Sequence, residues 1–133
     1  MRYLLDTNIV IFVLKDREGK AAARLARESP GDVATCAVVE AELYHGATKY
    51  GASDRRRSAL VGFLAPYRSL AFDSTCVPNY ARIRDELERA GQVIGGNDLL
   101  IAAIALTHDL TLVTHNSGEF NRVSGLRVED WSV

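Results

Sequence analysis

The chain has 133 residues, 47% hydrophobic and 25% charged, and this composition predicts one globular domain over residues 1–133. Sixteen basic and seventeen acidic residues leave a net charge of -1, so no whole-molecule charge attracts nucleic acid or a membrane. The two cysteines form no CxxC pattern, and no apolar run suits a secretory signal or a membrane span. We therefore expect a cytoplasmic protein with no membrane partner.

Short apolar runs alternate with helical segments along the chain. The first half predicts a strand over 3–6, a helix capped by Asn8, a helix over 19–29, a strand over 32–38 and helices over 38–51 and 53–67. The second half predicts a strand over 69–73, helices over 74–91 and 97–109, and strands over 110–116 and 125–133. Continuous apolar strands separated by helices predict an α/β fold with a mostly parallel sheet covered on both faces.

Three carboxylates are predicted at the edge of this sheet where ligands usually bind, the carboxyl ends of the strands. Asp6 ends the first strand and interrupts an otherwise apolar segment. Asp98 opens the apolar helix "DLLIAAIAL", where a helix N-terminus favours an anion. Glu42 shares a helix face with Val39, whereas Glu40 points elsewhere and is expected to need no partner.

Polar residues accompany these acids at the same edge. Thr114 and Asn116 close the fourth strand, and Glu119 follows them. Taken singly, Asp6 could form a turn, Asp98 could cap a helix and Glu119 could be solvated. Together, the carboxylates repel one another unless a cation neutralises them, and all-oxygen ligands favour Mg²⁺ or Mn²⁺ over Zn²⁺. The chemistry expected of such an ion is activation of water for attack on a phosphodiester. Hydrogen bonds from Thr7, Asn8 and Thr114 would orient the carboxylates that hold the ion.

Several other enzyme classes lack their motifs here. The sequence has no GxxxxGK[ST] phosphate loop, and its glycines do not follow a strand in GxGxxG order. The haloacid dehalogenase pattern needs a second Asp where Asn8 stands. His115 lies beside the predicted site and could touch substrate, although a lone histidine there is more often incidental.

The combination of "LLDTNI", "EAELYHGA", "GGNDLLIAAIAL", "LVTHNSGEF" and "GLRVEDWS" resembles the PIN-domain ribonucleases almost end to end. Within them it is similar to the VapC toxins of toxin–antitoxin pairs, particularly the branch that cleaves initiator tRNA. The resemblance implies an α/β/α sandwich, a homodimer, an Mg²⁺- or Mn²⁺-dependent endoribonuclease and a VapB-type antitoxin that inserts a segment into the site.

The resemblance also assigns roles to residues. Asp6, Glu42 and Asp98 match the acidic triad, with Asp6 and Asp98 as the principal metal ligands. Glu119 matches a more variable fourth acid, and Asn116 matches the polar residue before it. The sequence departs from the family at Val93, where proline is usual, and at His115, where a small or amide residue is common.

The substrate and the class of function stay open at this point. Initiator tRNA, cut in the anticodon loop, is the specific hypothesis; another tRNA, rRNA or mRNA is the alternative. A second alternative is a non-catalytic module in which a structural metal stabilises a fold that binds RNA or a partner. Basic residues that could contact phosphates or an antitoxin, or could simply be solvated, are Lys15, Arg17, Lys20, Arg24, Arg27 and Arg55 to Arg57.

Overall fold

The computed structural model describes residues 1–49, 51 and 53–133. The strands are β1 (Tyr3–Leu5), β2 (Val33–Cys36), β3 (Arg68–Leu70), β4 (Thr111–Val113) and β5 (Val128–Glu129). The helices are α1 (Thr7–Lys15), α2 (Lys20–Ala26), α3 (Ala37–Lys49), α4 (Ser53–Leu64), α5 (Val77–Arg89), α6 (Gly96–Thr107) and α7 (Ser117–Phe120). The helix predicted over 38–51 also covered Tyr50, which lies outside the described residues.

The five strands form one sheet in the order β3-β2-β1-β4-β5, and every neighbouring pair is parallel. Leu4 of β1 stands opposite Ala34 of β2 on one side and Leu112 of β4 on the other. The predicted α/β fold with a parallel sheet flanked by helices is confirmed. Because β1 is central, the residue after it lies at the carboxyl edge between two neighbouring strands, which is where a site is expected.

Helix α6 packs deep in the core, as its apolar sequence predicts. Residues 101–105 are all fully buried, and Phe120 of α7 and Leu112 of β4 are likewise inaccessible to solvent. Both cysteines are buried free thiols, and burial raises the pKa of Cys36 to about 11. Burial of α6 on most sides fixes the position of its first turn, which carries Asp98.

The C-terminal segment is anchored by Trp131, which is 4% exposed. Its ring meets Tyr3 edge to face at 5.0 Å, and the Arg24 guanidinium lies 4.5 Å from its centroid. Arg24 also pairs with Glu28. Arg24 was a candidate for RNA contact, but the structure holds its guanidinium in these internal contacts.

Several predicted boundaries differ from the observed ones. The strand predicted over 110–116 is confined to Thr111–Val113, because the chain turns at Thr114 to form the site. Asn8 was predicted to cap α1, but Asp6 occupies the cap position and Asn8 lies inside the first turn. The last predicted strand, over 125–133, is reduced to Val128–Glu129. In the part of the chain that the structure describes, no helix is long and apolar enough to cross a membrane.

Candidate active site

Asp6 lies at the carboxyl end of β1 and is only 4% exposed. Its backbone N–H donates to the carbonyl of Val113 at 2.8 Å, which ties β1 to β4 at this edge. The hydroxyl of Thr114 donates to Oδ2 of Asp6 at 2.7 Å. Burial raises the pKa of Asp6, hydrogen bonds from Thr114 and from the backbone of Thr7 lower it, and the charge of Glu42 raises it further. Asp6 is therefore a buried carboxylate that accepts hydrogen bonds from Thr114 and from the backbone of Thr7, and the negative charge of Glu42 acts on it.

Glu42 is half-buried on α3 and faces the start of α1. The hydroxyl of Thr7 donates to Oε1 of Glu42 at 2.6 Å, although the two residues are 35 positions apart. The expectation that Glu40 needs no partner is wrong, because the hydroxyl of Ser69 in β3 donates to its Oε2. Residues 40 and 42 thus point to different places, as predicted, and each carboxylate has a hydroxyl donor of its own.

Asp98 occupies the first turn of α6 and is partly buried. Its pKa is raised to about 6, first by burial and then by the negative charges of Asp6, Glu119 and Glu42. A hydrogen bond with Glu119 raises it further. The charges of Asp6, Glu119 and Glu42 therefore all act on Asp98, and Glu119 is close enough to share a hydrogen bond with it.

Glu119 is held in place rather than left fully in solvent, and Asn116 holds it. The side-chain amide of Asn116 donates to Oε2 of Glu119 at 3.0 Å, and its backbone N–H donates to the hydroxyl of Thr114 at 2.9 Å. Thr114 in turn donates to Asp6. A continuous chain of hydrogen bonds therefore runs from Glu119 to Asp6 along the turn that follows β4.

Asn8 supports the same turn from the opposite side. Its side-chain oxygen accepts a hydrogen bond from the backbone N–H of His115 at 3.1 Å. Asn8 thus holds the backbone next to Thr114, and among the described residues it donates to no carboxylate, so the predicted hydrogen bond from Asn8 to a carboxylate is not observed. The sequence offered no signal for this pairing, because the partners are 107 positions apart.

The donors at this edge fit a hard divalent cation by their chemistry. All four side chains offer carboxylate oxygens, and within residues 1–49, 51 and 53–133 no ion pair joins them to Lys or Arg. In the same described residues, no three Asp, Glu, His or Cys side chains already converge as a formed metal cluster. The fit therefore rests on the type of donor and on their mutual repulsion, which a cation would relieve.

A cleft of about 550 Å³ leads away from Glu42 between α1, α3 and α4. Its floor is apolar and includes Leu43 and Leu60, while Lys15, Arg17 and Arg56 contribute basic groups to its lining. Three of the basic residues that could contact phosphates or an antitoxin thus line the same cleft as Glu42.

A family model described as the PIN domain matches residues 3–126. Among curated relatives, Ribonuclease VapC2 of Haemophilus influenzae is 37% identical over 131 residues, covering 98% of both chains. The tRNA(fMet)-specific endonuclease VapC of Shigella flexneri is 36% identical over 132 residues, covering 99% of both chains.

Solved structures of VapBC complexes are similar to this chain in fold as well as in sequence. VapBC2 from Rickettsia felis, bound to a DNA fragment from its promoter, superposes with a TM-score of 0.92 at 35% identity, covering 98% of this chain and 99% of that chain. DNA-bound VapBC from Salmonella typhimurium also has a TM-score of 0.92, at 32% identity and 98% coverage of both chains. The chain belongs to the PIN-domain family, in its VapC ribonuclease branch.

Proposed function

We propose that this protein is the toxin of a type II toxin–antitoxin pair and acts as an Mg²⁺- or Mn²⁺-dependent endoribonuclease. The observation that carries the proposal is the position of two acids: Asp6 is buried at the carboxyl end of the central strand, and Asp98 lies in the first turn of α6. Negative charge from Asp6, Glu119 and Glu42 helps to raise the pKa of Asp98, and a cation bound among these groups would relieve that repulsion. Membership of the VapC branch makes RNA the expected substrate.

Asp6 and Asp98 are the residues that would hold the ion. Asp6 is buried at the end of the central strand, and Asp98 lies in the first turn of the buried helix α6, so both stand on rigid elements. Glu42 would complete the ligand set or orient the attacking water, and Glu119 would assist from the turn after β4. The chemistry that the ion supplies when bound is activation of water and neutralisation of the charge that develops on the phosphate.

The neutral side chains at the site act by fixing these carboxylates. Thr114 directs Oδ2 of Asp6, and Thr7 directs Oε1 of Glu42. Asn116 fixes Glu119, and Asn8 fixes the backbone of the turn. Such outer hydrogen bonds set ligand orientation, and their loss typically costs about 10- to 100-fold in activity or metal affinity.

Initiator tRNA, cleaved in its anticodon loop, is the substrate that we propose. The similarity to the tRNA(fMet)-specific endonuclease of Shigella flexneri over the whole chain supports it. Relatives with comparable identity carry only the name ribonuclease, so the discriminating result is the position of the cut.

A VapB-type antitoxin is the partner that we propose, and the toxin itself would be a homodimer. Similar folds have been solved as VapBC assemblies. The cleft beside Glu42 combines an apolar floor with basic Lys15, Arg17 and Arg56, which suits an amphipathic segment carrying acidic groups.

The test is an RNA cleavage assay with purified, antitoxin-free protein. Initiator tRNA, elongator methionine tRNA and rRNA are each incubated with Mg²⁺, Mn²⁺ or EDTA, and the fragment ends are mapped. We expect one cut in the anticodon loop of initiator tRNA that requires metal and is absent in the Asp6→Asn and Asp98→Asn variants. Asp85→Asn is the matched control, because Asp85 is an exposed carboxylate on α5 that pairs only with Arg89 in the described residues.

Each alternative gives a different result in this assay. Metal-dependent cuts in another RNA would keep the nuclease and reject initiator tRNA as its substrate. Intact RNA in every lane, from protein shown to be folded, would reject cleavage of these tRNAs and of rRNA and would favour a different substrate or a binding role. Loss of thermal stability in Asp6→Asn and Asp98→Asn without any change in RNA integrity would instead identify a structural metal site.

A further inference from the structure

His115 is an exposed side chain at the rim of the candidate site. It follows Thr114, whose hydroxyl holds Asp6, and its backbone N–H is bound by the side chain of Asn8. Its own side chain is 54% exposed. Nothing in the proposed chemistry uses this ring, although both its neighbours in sequence belong to the site.

The imidazole is held in one orientation in spite of its exposure. Nδ1 lies 3.2 Å from Oδ2 of Asp130 and 3.0 Å from the hydroxyl oxygen of Ser132. The Ser132 hydroxyl donates its proton to the other oxygen of Asp130, so Nδ1 must be the atom that carries a proton toward Asp130 and Ser132. The ring also meets Phe12 of α1 at 5.2 Å between centroids, with 71° between the two planes.

The groups that orient this ring are themselves fixed. The Asp130 side chain is 15% exposed and accepts a hydrogen bond from the backbone N–H of Ser132 at 2.9 Å. Trp131, between them, is 4% exposed and packs on Tyr3. A half-exposed aromatic ring on such a support loses little further conformational entropy when it binds a ligand.

We propose that His115, supported by Phe12, Asp130 and Ser132, is a stacking site for an unpaired base of the RNA substrate. Single-stranded RNA is commonly recognised by stacking of bases on Phe, Tyr, Trp or His rings. This inference rests on the proposed ribonuclease function and adds the part of the substrate that the rim recognises: an unstacked base in a loop rather than a paired helix.

Charge at this position favours base stacking over a phosphate contact. A phosphate would need a cationic donor, but the carboxylate of Asp130 lies against Nδ1 and balances any positive charge on the ring. The carboxylates of the site next to it add further negative potential. Stacking requires only the face of the ring, which depends much less on that field.

The test compares three replacements of His115 in an Asp98→Asn background, so that bound RNA is not cut. Affinity is measured for the anticodon stem-loop of initiator tRNA and for a fully paired RNA of the same length. We expect His115→Gln to weaken stem-loop binding about tenfold, within the range for loss of one stacked base, and to leave duplex binding within about twofold. His115→Phe retains an aromatic face, so its stem-loop affinity should stay within about threefold of the unsubstituted background.

His115→Lys supplies a cation without a ring and should behave as His115→Gln does. If the Lys variant instead binds as well as the unsubstituted protein, or the Phe variant binds as poorly as the Gln variant, stacking is wrong. His45→Gln is the matched control, because His45 is exposed on α3. In the active enzyme, His115→Gln should raise KM with kcat nearly unchanged. The binding assay needs no cleavage, so failure of this inference is distinguishable from failure of the proposed nuclease.

Discussion

The Asp98→Asn variant should abolish cleavage and yet make the metal-free protein more stable. The pKa of Asp98 is raised from 3.8 to about 6, and each pH unit of difference corresponds to about 1.4 kcal/mol. Ionisation of Asp98 therefore lowers the free energy of unfolding by at most about 3 kcal/mol. Because Asp98 is only partly buried, solvent screening reduces this to about 1–2 kcal/mol. Asn removes the charge and retains a donor that can face Glu119.

The pH dependence of this effect has a definite sign. The folded state binds the Asp98 proton more tightly than the unfolded chain, so the protonated form favours folding. Stability from this group is fully present below the unfolded pKa of 3.8 and is lost as the pH rises through about 6. The advantage of Asp98→Asn over the unsubstituted protein should thus be greatest at pH 8 and fall to about half by pH 5.

The assay is urea or thermal unfolding of both proteins in EDTA between pH 5 and pH 8. At pH 8 we expect a rise in Tm of about 3–8 °C for Asp98→Asn, and added Mg²⁺ should stabilise the unsubstituted protein more than the variant. A variant that is less stable than the unsubstituted protein at pH 8 in EDTA would refute the argument that these carboxylates repel one another.

Four further substitutions test other parts of the structure. Thr114→Val removes the hydroxyl that donates to Asp6. We expect the free energy of unfolding to fall by about 2 kcal/mol and kcat to fall by about 10- to 100-fold. An unchanged kcat would contradict the orienting role of Thr114. Glu42→Gln should lower kcat by about 100-fold, while Glu40→Gln, with its hydroxyl partner away from the site, should leave it within about twofold. Trp131→Ala should cost about 3 kcal/mol or more in urea unfolding, and a loss under about 1 kcal/mol would contradict its role as the C-terminal anchor.

The sequence was sufficient to predict the parallel sheet, and it singled out four carboxylates whose part in catalysis stays a prediction. In a parallel sheet the carboxyl ends of all strands lie at one edge, so Asp6 and the residues after β4 must meet once the strands are recognised. Asp98 follows from the same logic, because a fully apolar helix such as α6 has to be buried and its first turn then points at that edge.

What the sequence could not supply were partners that only the tertiary fold brings together. Asparagine is a common helix-capping residue, but the side-chain oxygen of Asn8 accepts a hydrogen bond from the backbone N–H of His115, which lies 107 residues away. Glu40 finds Ser69 on β3, and Arg24 stacks on Trp131 from the far end of the chain. The sequence leaves open whether His115 touches substrate or is incidental, since the residues that orient its ring follow it by 15 and 17 positions and belong to no motif.

Titration of the metal-free protein with Mn²⁺, followed by electron paramagnetic resonance, asks directly whether these carboxylates bind the metal. We predict that the unsubstituted protein and Asp85→Asn bind Mn²⁺ over the same concentration range that supports RNA cleavage. We also predict that Asp6→Asn and Asp98→Asn lose both binding and cleavage while remaining folded. Undiminished Mn²⁺ binding in Asp98→Asn, or metal-independent cleavage by any of these proteins, would contradict the claim that these carboxylates form the metal site of the nuclease.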